Sequence, residues 1–290
     1  MKRLLILSGK GGTGKTSTAA AFMRFAQAKA VADCDVDAPN LHLVAAQRVE
    51  PAVTDFFGGD KAVIEAEKCN GCGLCQSHCR FAALFAVNGK YTVNEYACEG
   101  CGVCAYVCPQ NAVELVNDIS GIKKLYLDSG VFSTAMLKMG RGNSGKLVTD
   151  VKLAMLQNAP DTELAIVDGS PGIGCPVIAS VSGMDLVLVV AEPSLSGISD
   201  LKRLIRTAET FQAKMAVCVN KWDVSPENTK AIQDFCKTEN IPFVGRIPYD
   251  KSVSQALNAG SSIADIACPA RTALKEIFAN ISKLLDLKQQ

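Results

Sequence analysis

No apolar run in this 290-residue chain approaches the roughly 20 residues of a membrane span. The opening MKRLLILSGK has too short an apolar core for a signal peptide. Neither sign of charge dominates: 30 Lys and Arg against 29 Asp and Glu leave a formal charge of +1. With no long basic run, the electrostatic footprint of a nucleic-acid-binding surface is missing. These absences together point to a soluble, cytoplasmic protein whose partners are neither membranes nor nucleic acids. In that reducing setting a disulfide framework is disfavoured. The thirteen cysteines therefore point to metal, and their spacing decides which kind.

Between Cys69 and Pro109 the pattern C-x2-C-x2-C-x3-C occurs twice. Eight cysteines so spaced match a two-cluster ferredoxin run, in which the fourth cysteine of each run serves the other cluster. Cys69, Cys72, Cys75 and Cys108 are thus expected to hold one [4Fe-4S] cluster, and Cys79, Cys98, Cys101 and Cys104 the other. Glycines at 71, 73, 100 and 102 suit a backbone that wraps closely round a cluster and aims N–H groups at its sulfurs. Zinc competes for C-x2-C pairs, but it favours two separated pairs over three cysteines at successive short spacings. Pro109 follows the second run as in ferredoxins, whereas Arg80 stands in the matching place after the first. A positive charge there, if it points inward, is expected to favour the reduced state of its cluster.

The other dense motif is LLILSGKGGTGKTSTAA, residues 4–20. Gly9 to Thr16 satisfy G-x-x-x-x-G-K-[ST], the phosphate-binding loop, with Lys15 expected on the β- and γ-phosphates and Thr16 on Mg²⁺. The apolar run Leu4 to Leu7 reads as a buried parallel strand and Ala19 to Ala28 as a helix, so strand, loop and helix come in the required order. Gly11, Gly12 and Gly14 allow the backbone N–H groups to close round phosphates at a helix N-terminus, and Thr13 and Ser17 complete the contact set. Lys10 is a second lysine that such a loop does not ordinarily need.

The segment K-G-G-T-G-K-T, residues 10–16, resembles the deviant Walker A motif of the MinD/ParA/Mrp-type ATPases, relatives of the nitrogenase iron protein. The resemblance implies two protomers sandwiching two ATP molecules, with Lys10 reaching the partner's nucleotide in the manner of an arginine finger. It also gives roles to residues further along. In ADCDVDAPNLHL, Asp33, Asp35 and Asn40 match the first switch; Asp35 positions the attacking water near Mg²⁺ and Asp33 supports it. Asp168, at the end of the apolar strand in ELAIVDGSPGIGC, is expected to hold a Mg²⁺-bound water. In MAVCVNKWD, Asn220 and Asp223 resemble the base-recognition position, with Asn220 on adenine. The same letters match the N-K-x-D signature of guanine-binding GTPases, so the motif alone leaves the base open. Cys175 occupies the offset of a cluster-binding switch cysteine in the nitrogenase relative, although a small, partly buried thiol is the commoner meaning of a lone cysteine.

Strands alternate with helices from Leu4 to Leu287. The expected fold is α/β, a largely parallel P-loop sheet flanked by helices, with an inserted small α+β ferredoxin-like domain. Its boundaries are read as 1–60 for the first part of the ATPase, 61–116 for the insert and 117–290 for the remainder. The C-terminal stripe Leu274, Ile277, Phe278, Ile281, Leu284 and Leu285 is assigned to core packing rather than a membrane anchor. The segments Leu125 to Met139, a hairpin candidate, and Asn143 to Val148 also resemble the ferredoxin-bearing subfamily, without a chemical role read from the letters. The function implied is an ATPase whose ATP-dependent homodimer, or heterodimer with a paralogue, passes electrons through two [4Fe-4S] clusters to a redox partner. The alternative is a carrier of the Mrp type that hands a cluster to an acceptor. It is disfavoured because the C-x-x-C that those relatives carry near the C-terminus is absent.

Overall fold

The computed structural model describes residues 1–45 and 48–288. In chain order its elements are β1 (Lys2–Leu7), α1 (Lys15–Ala26), β2 (Ala30–Asp33), β3 (Ala52–Ile64), α2 (Leu74–Ser77), β4 (Leu84–Val87), β5 (Lys90–Val93), α3 (Val103–Tyr106), β6 (Val113–Leu127) and β7 (Val131–Leu137). There follow α4 (Ser144–Asn158), β8 (Leu164–Asp168), α5 (Cys175–Val181), β9 (Leu186–Ala191), α6 (Leu195–Glu209), β10 (Met215–Asn220), α7 (Pro226–Thr238), β11 (Phe243–Ile247), α8 (Lys251–Asn258) and α9 (Pro269–Leu284). The chain divides into two compact units, one of Met1–Val53, Lys123–Met136 and Ser144 onward, the other of Thr54–Ile122 and Leu137–Asn143.

In the first unit the strands lie in the order β11-β10-β9-β1-β8-β2-β7, each neighbouring pair parallel. The residues of β8 and β9 are all buried, and so are those of β1 beyond its first two. Covering both faces with helices is what permits such uninterrupted apolar strands, because no face has to meet water. The C-terminal stripe is part of this core: Leu274, Ile277, Ile281 and Leu285 are buried, and Phe278 packs on Phe22 of α1 with ring centroids 5.1 Å apart. Because β1 sits between β8 and β9, the loop leaving β1 is flanked by the carboxyl ends of both. That is where an open α/β sheet places its ligand.

The second unit begins earlier and ends later than residues 61–116. The strands β3 and β6 run well past the cysteine block, and Leu137–Asn143 joins it after the hairpin turn at 128–130. Within it β4 and β5 pair antiparallel across Asn88 and Gly89, which both have positive φ, as the tight turn twisted to match its strands demands. The two cysteine runs fold alike. Gly73 and Gly102, each at φ 78°, precede the single-turn helices α2 and α3. Gly71 and Gly100 sit with a backbone carbonyl where a Cβ would be, 2.2 Å from Gly89 O and 2.1 Å from Asp60 O.

Candidate nucleotide site and cysteine sites

The loop between β1 and α1 ends at Gly14, whose φ of 96° and close approach to Asn220, 2.2 Å from a would-be Cβ, admit no side chain. No side chain caps α1, so the N–H groups of its first turn remain available to an anion at the positive end of the helix. Lys15 opens that helix. Its side chain is buried, and its ammonium donates to Asp168 Oδ1 at 2.9 Å and to Asp35 Oδ2 at 3.5 Å. Burial works to lower the Lys15 pKa, but the charges of Asp168, Asp35 and Asp33 outweigh it and the net shift is upward. Thr16 Oγ1 lies 3.5 Å from the same ammonium.

The acids converge because of strand register: Asp33 at the end of β2 lies opposite Asp168 at the end of β8. Asp33 accepts backbone N–H bonds from Asp35, Asn40 and Leu41, so it shapes the loop that presents Asp35. Burial, reinforced by the charge of Asp168, raises Asp33 to about 7. Asp35 is also raised by burial, with Lys15 opposing. Ser170 Oγ donates to Cys34 O at 2.6 Å, and Gly172 N–H to Ser8 O at 3.0 Å, fastening the segment after Asp168 to both β2 and β1. Asp168 Oδ2 and Thr13 Oγ1 are buried with no hydrogen-bond partner. An unsatisfied carboxylate oxygen and hydroxyl beside a phosphate-binding loop fit a bound Mg²⁺-nucleotide, which would supply the missing partners.

At the other end of the loop, Asn220 Nδ2 donates to Thr13 O at 2.8 Å, joining the end of β10 to the phosphate loop. Asp223 accepts the Tyr249 N–H at 2.7 Å. Lys10 points neither to Asp35 nor to Asp168. Its ammonium lies 2.7 Å from Glu192 Oε2, 3.1 Å from Ser196 Oγ and 3.4 Å from Ser194 Oγ, on the segment that runs from the end of β9 into α6. That hydrogen bond holds the Glu192 carboxyl below its usual range.

In the second unit, one pocket is lined by Cys79, Cys98, Cys101 and Cys104. Its remaining wall includes Ala62, Phe81 and Val103. The fourth cysteine of the first run thus meets the first three of the second. Cys98 Sγ accepts from the N–H groups of Ala62 and Gly100 at 3.4 and 3.5 Å. On the other side, burial pushes the Cys75 thiol up, and the charges of Cys69 and Cys108 add to the rise. Cys108 Sγ accepts the Ala112 N–H at 3.3 Å. Among the described residues no three His, Cys, Asp or Glu side chains converge on a single metal ion.

Residues 4–263 match the CobQ/CobB/MinD/ParA nucleotide-binding domain. The chain belongs to this family. An uncharacterized protein of Methanocaldococcus jannaschii, MJ0578, is 29% identical, over 98% of this chain and 97% of its own length. An uncharacterized ATP-binding protein of the same organism, MJ0547, is 25% identical, over 99% and 89%. Among solved structures, the septum site-determining protein MinD of Pyrococcus horikoshii, complexed with Mg-ADP, superposes with a TM-score of 0.57 at 16% identity, covering 98% of this chain and 96% of that one. The chain is therefore a MinD/ParA-type P-loop ATPase with the α/β fold of that family. No helix among its described residues is long and apolar enough to cross a membrane.

Within this MinD/ParA-family site the structure brings together Lys15, Thr16, Asp33, Asp35 and Asp168, and separately Asn220 with Thr13. Lys10 instead pairs with Glu192. Cys175 is exposed at the first position of α5, where its backbone meets Gly145 of α4. Two residues are not singled out by the sequence motifs. Glu192 is the partner of Lys10. Lys152, mid-helix in α4, buries an ammonium that donates to Ala179 O, Ser180 O and Ser182 O at 2.6, 2.9 and 2.6 Å. For Glu192 the faint signal is an acid at a strand end beside two serines; for Lys152 the letters give none.

Proposed function

We propose that this ATPase couples ATP-driven dimerisation and hydrolysis to electron transfer through two [4Fe-4S] clusters held by its second unit. The observation that carries the reading is the cavity shared by Cys79, Cys98, Cys101 and Cys104, which unites two sequence runs as a two-cluster ferredoxin does. A cubane gives each thiolate its own iron, so its four cysteines stand further apart than the ligands of one ion.

The clusters, when bound, supply one-electron redox chemistry. At the nucleotide, Lys15 would neutralise phosphate charge, and Thr16 and Asp35, with Asp168 through water, would hold magnesium, which would supply charge stabilisation at the phosphates. Asp35, steered by Asp33, positions the attacking water. Lys10 completes the site only when a second protomer presents it, so hydrolysis is tied to assembly. Cys69, Cys72, Cys75 and Cys108 hold the first cluster and the remaining four cysteines the second, in a reducing, cytoplasmic setting, with a redox protein as acceptor. Anaerobically purified protein should contain about eight iron and eight sulfide per chain. Zinc without iron after anaerobic reconstitution would overturn the cluster reading. Loss of iron to an apo-acceptor during turnover would favour a carrier instead.

A further inference from the structure

The second unit repeats itself beyond its cysteines. The step of 29 positions that carries Cys69 to Cys98 also carries Lys61 to Lys90, Ala62 to Tyr91 and Gly71 to Gly100. The folded chain keeps the correspondence. Cys98 Sγ accepts the Ala62 and Gly100 N–H groups at 3.4 and 3.5 Å. At Cys69 the matching N–H groups, of Tyr91 and Gly71, hold the thiol below its ordinary pKa, and the Lys90 charge acts in the same direction. Each run thus opens on a cysteine whose sulfur is met by a strand N–H, and the residue before that N–H is a lysine.

The two lysines are placed differently. Lys61 is half-buried, and its ammonium donates to the carbonyl of Cys98 itself. Lys90 is exposed, and its ammonium donates to Ala66 O, three residues ahead of Cys69. A [4Fe-4S] centre that accepts one electron gains one negative charge, so a fixed cation nearby favours the reduced form, and does so more strongly the less water screens it. Arg80 and Glu99 adjoin cysteines of the second cluster in sequence, but both are exposed and opposite in sign. Lys61 is the cation that a hydrogen bond fixes to one of that cluster's own ligands.

We propose that Lys61 and Lys90 are potential-setting residues, one for each cluster, and that Lys61 acts the more strongly, biasing an electron shared by the two towards the cluster of Cys79, Cys98, Cys101 and Cys104. The inference rests on the cluster reading above and adds the residues that make the two clusters unequal.

The test is anaerobic titration of the full chain with dithionite and redox mediators, each cluster taking one electron from the reductant. Electron paramagnetic resonance follows the reduction, and iron is counted in the same samples. Wild type, Lys61→Gln, Lys61→Arg and Lys90→Gln are compared, because glutamine keeps an N–H donor without the charge and arginine keeps both. Each protein should hold about eight iron. Lys61→Gln should lower the electron affinity of one cluster about tenfold, roughly 59 mV, and leave the other unmoved. Lys61→Arg should restore most of that loss. Lys90→Gln should lower the other cluster, by about threefold. Unmoved potentials in Lys61→Gln with its iron intact, or a shift shared equally by both clusters, would overturn the assignment. Iron lost from Lys61→Gln would also overturn it, making the lysine a staple of the cysteine loop. Lys90→Gln moving nothing, moving the same cluster as Lys61→Gln, or exceeding its effect would overturn the pairing of lysine with cluster. Wild type that takes up no iron on anaerobic reconstitution would overturn the cluster reading itself.

Discussion

Replacing Glu192 with glutamine should make the ATP-bound dimer tighter, because it frees a lysine that the chain holds against itself. The ion pair between Lys10 and Glu192 is short, 2.7 Å, but the side chains are 35% and 27% exposed. Solvent screening therefore places it among surface pairs, worth about 0.5–1 kcal/mol. In a symmetric dimer both protomers must release Lys10, so the saving doubles to about 1–2 kcal/mol. That corresponds to a dimer dissociation constant roughly five- to thirtyfold lower. Because Glu192 Oε1 also lies 3.7 Å from Lys221, the comparison requires saturating nucleotide, confirmed for each protein. The Lys10 hydrogen bond holds the Glu192 pKa below its ordinary value. For an acid shifted down, the stabilisation is present above the unfolded value and is lost as pH falls through the folded one. The difference between variant and wild type should thus be constant from pH 6 to 8. Sedimentation velocity with a nonhydrolysable ATP analogue reads the constant directly, with Lys10→Ala as the variant that should not dimerise. A Glu192→Gln dimer no tighter than wild type would refute the reasoning.

Three further outcomes are expected. Lys15→Ala should abolish Mg²⁺-ATP binding in calorimetry and lower the stability of the nucleotide-free protein by about 3–5 kcal/mol in urea, since Asp168 and Asp35 lose their buried cation; unchanged nucleotide affinity would contradict the assignment. Lys152→Met should destabilise the chain at neutral pH by about 2–4 kcal/mol by stranding three carbonyls. Burial lowers the Lys152 pKa, so the folded state gives up its proton more readily than the unfolded one, and wild-type stability should rise relative to the variant as pH climbs from the folded value towards 10.5; a gap that closes instead would be inconsistent. Finally, Cys79→Ser with Cys101→Ser should leave about four irons, whereas Cys79→Ser with Cys72→Ser should leave none. The reverse result would mean that each run keeps its own fourth cysteine.

The parts of this molecule that could be read from the letters are those where chemistry and local conformation share one short stretch. Gly14, Lys15 and Thr16 must be neighbours for the loop to work, and the cysteine spacing is itself the geometry of the second unit. Asp33 and Asp168 could be placed because each ends an apolar strand, and adjacent parallel strands bring such ends together. The pairing of Lys10 with Glu192 could not be read. It depends on β9 lying beside β1, and on the loop into α6 turning back over the phosphate loop. Lys152 was hidden for a related reason: its stem sits among apolar helix positions, and its three acceptors are backbone carbonyls, which no side-chain pattern announces. The second compact unit extends past the cysteine block because β3 and β6 continue beyond the cysteines with no break in composition.

The Lys15 bond to Asp168, with Asp35 close by, gives the phosphate loop a built-in counter-ion. A phosphate chain that takes this lysine deprives the acids of their positive charge. On the proposed reading, magnesium arriving with the nucleotide would restore it, so that loading the site would be a double exchange of ionic partners. Metal-free nucleotide can complete only half of that exchange, drawing the ammonium away and facing three clustered carboxylates with added negative charge. On the proposed reading, the carboxylates that receive the magnesium also disfavour metal-free nucleotide.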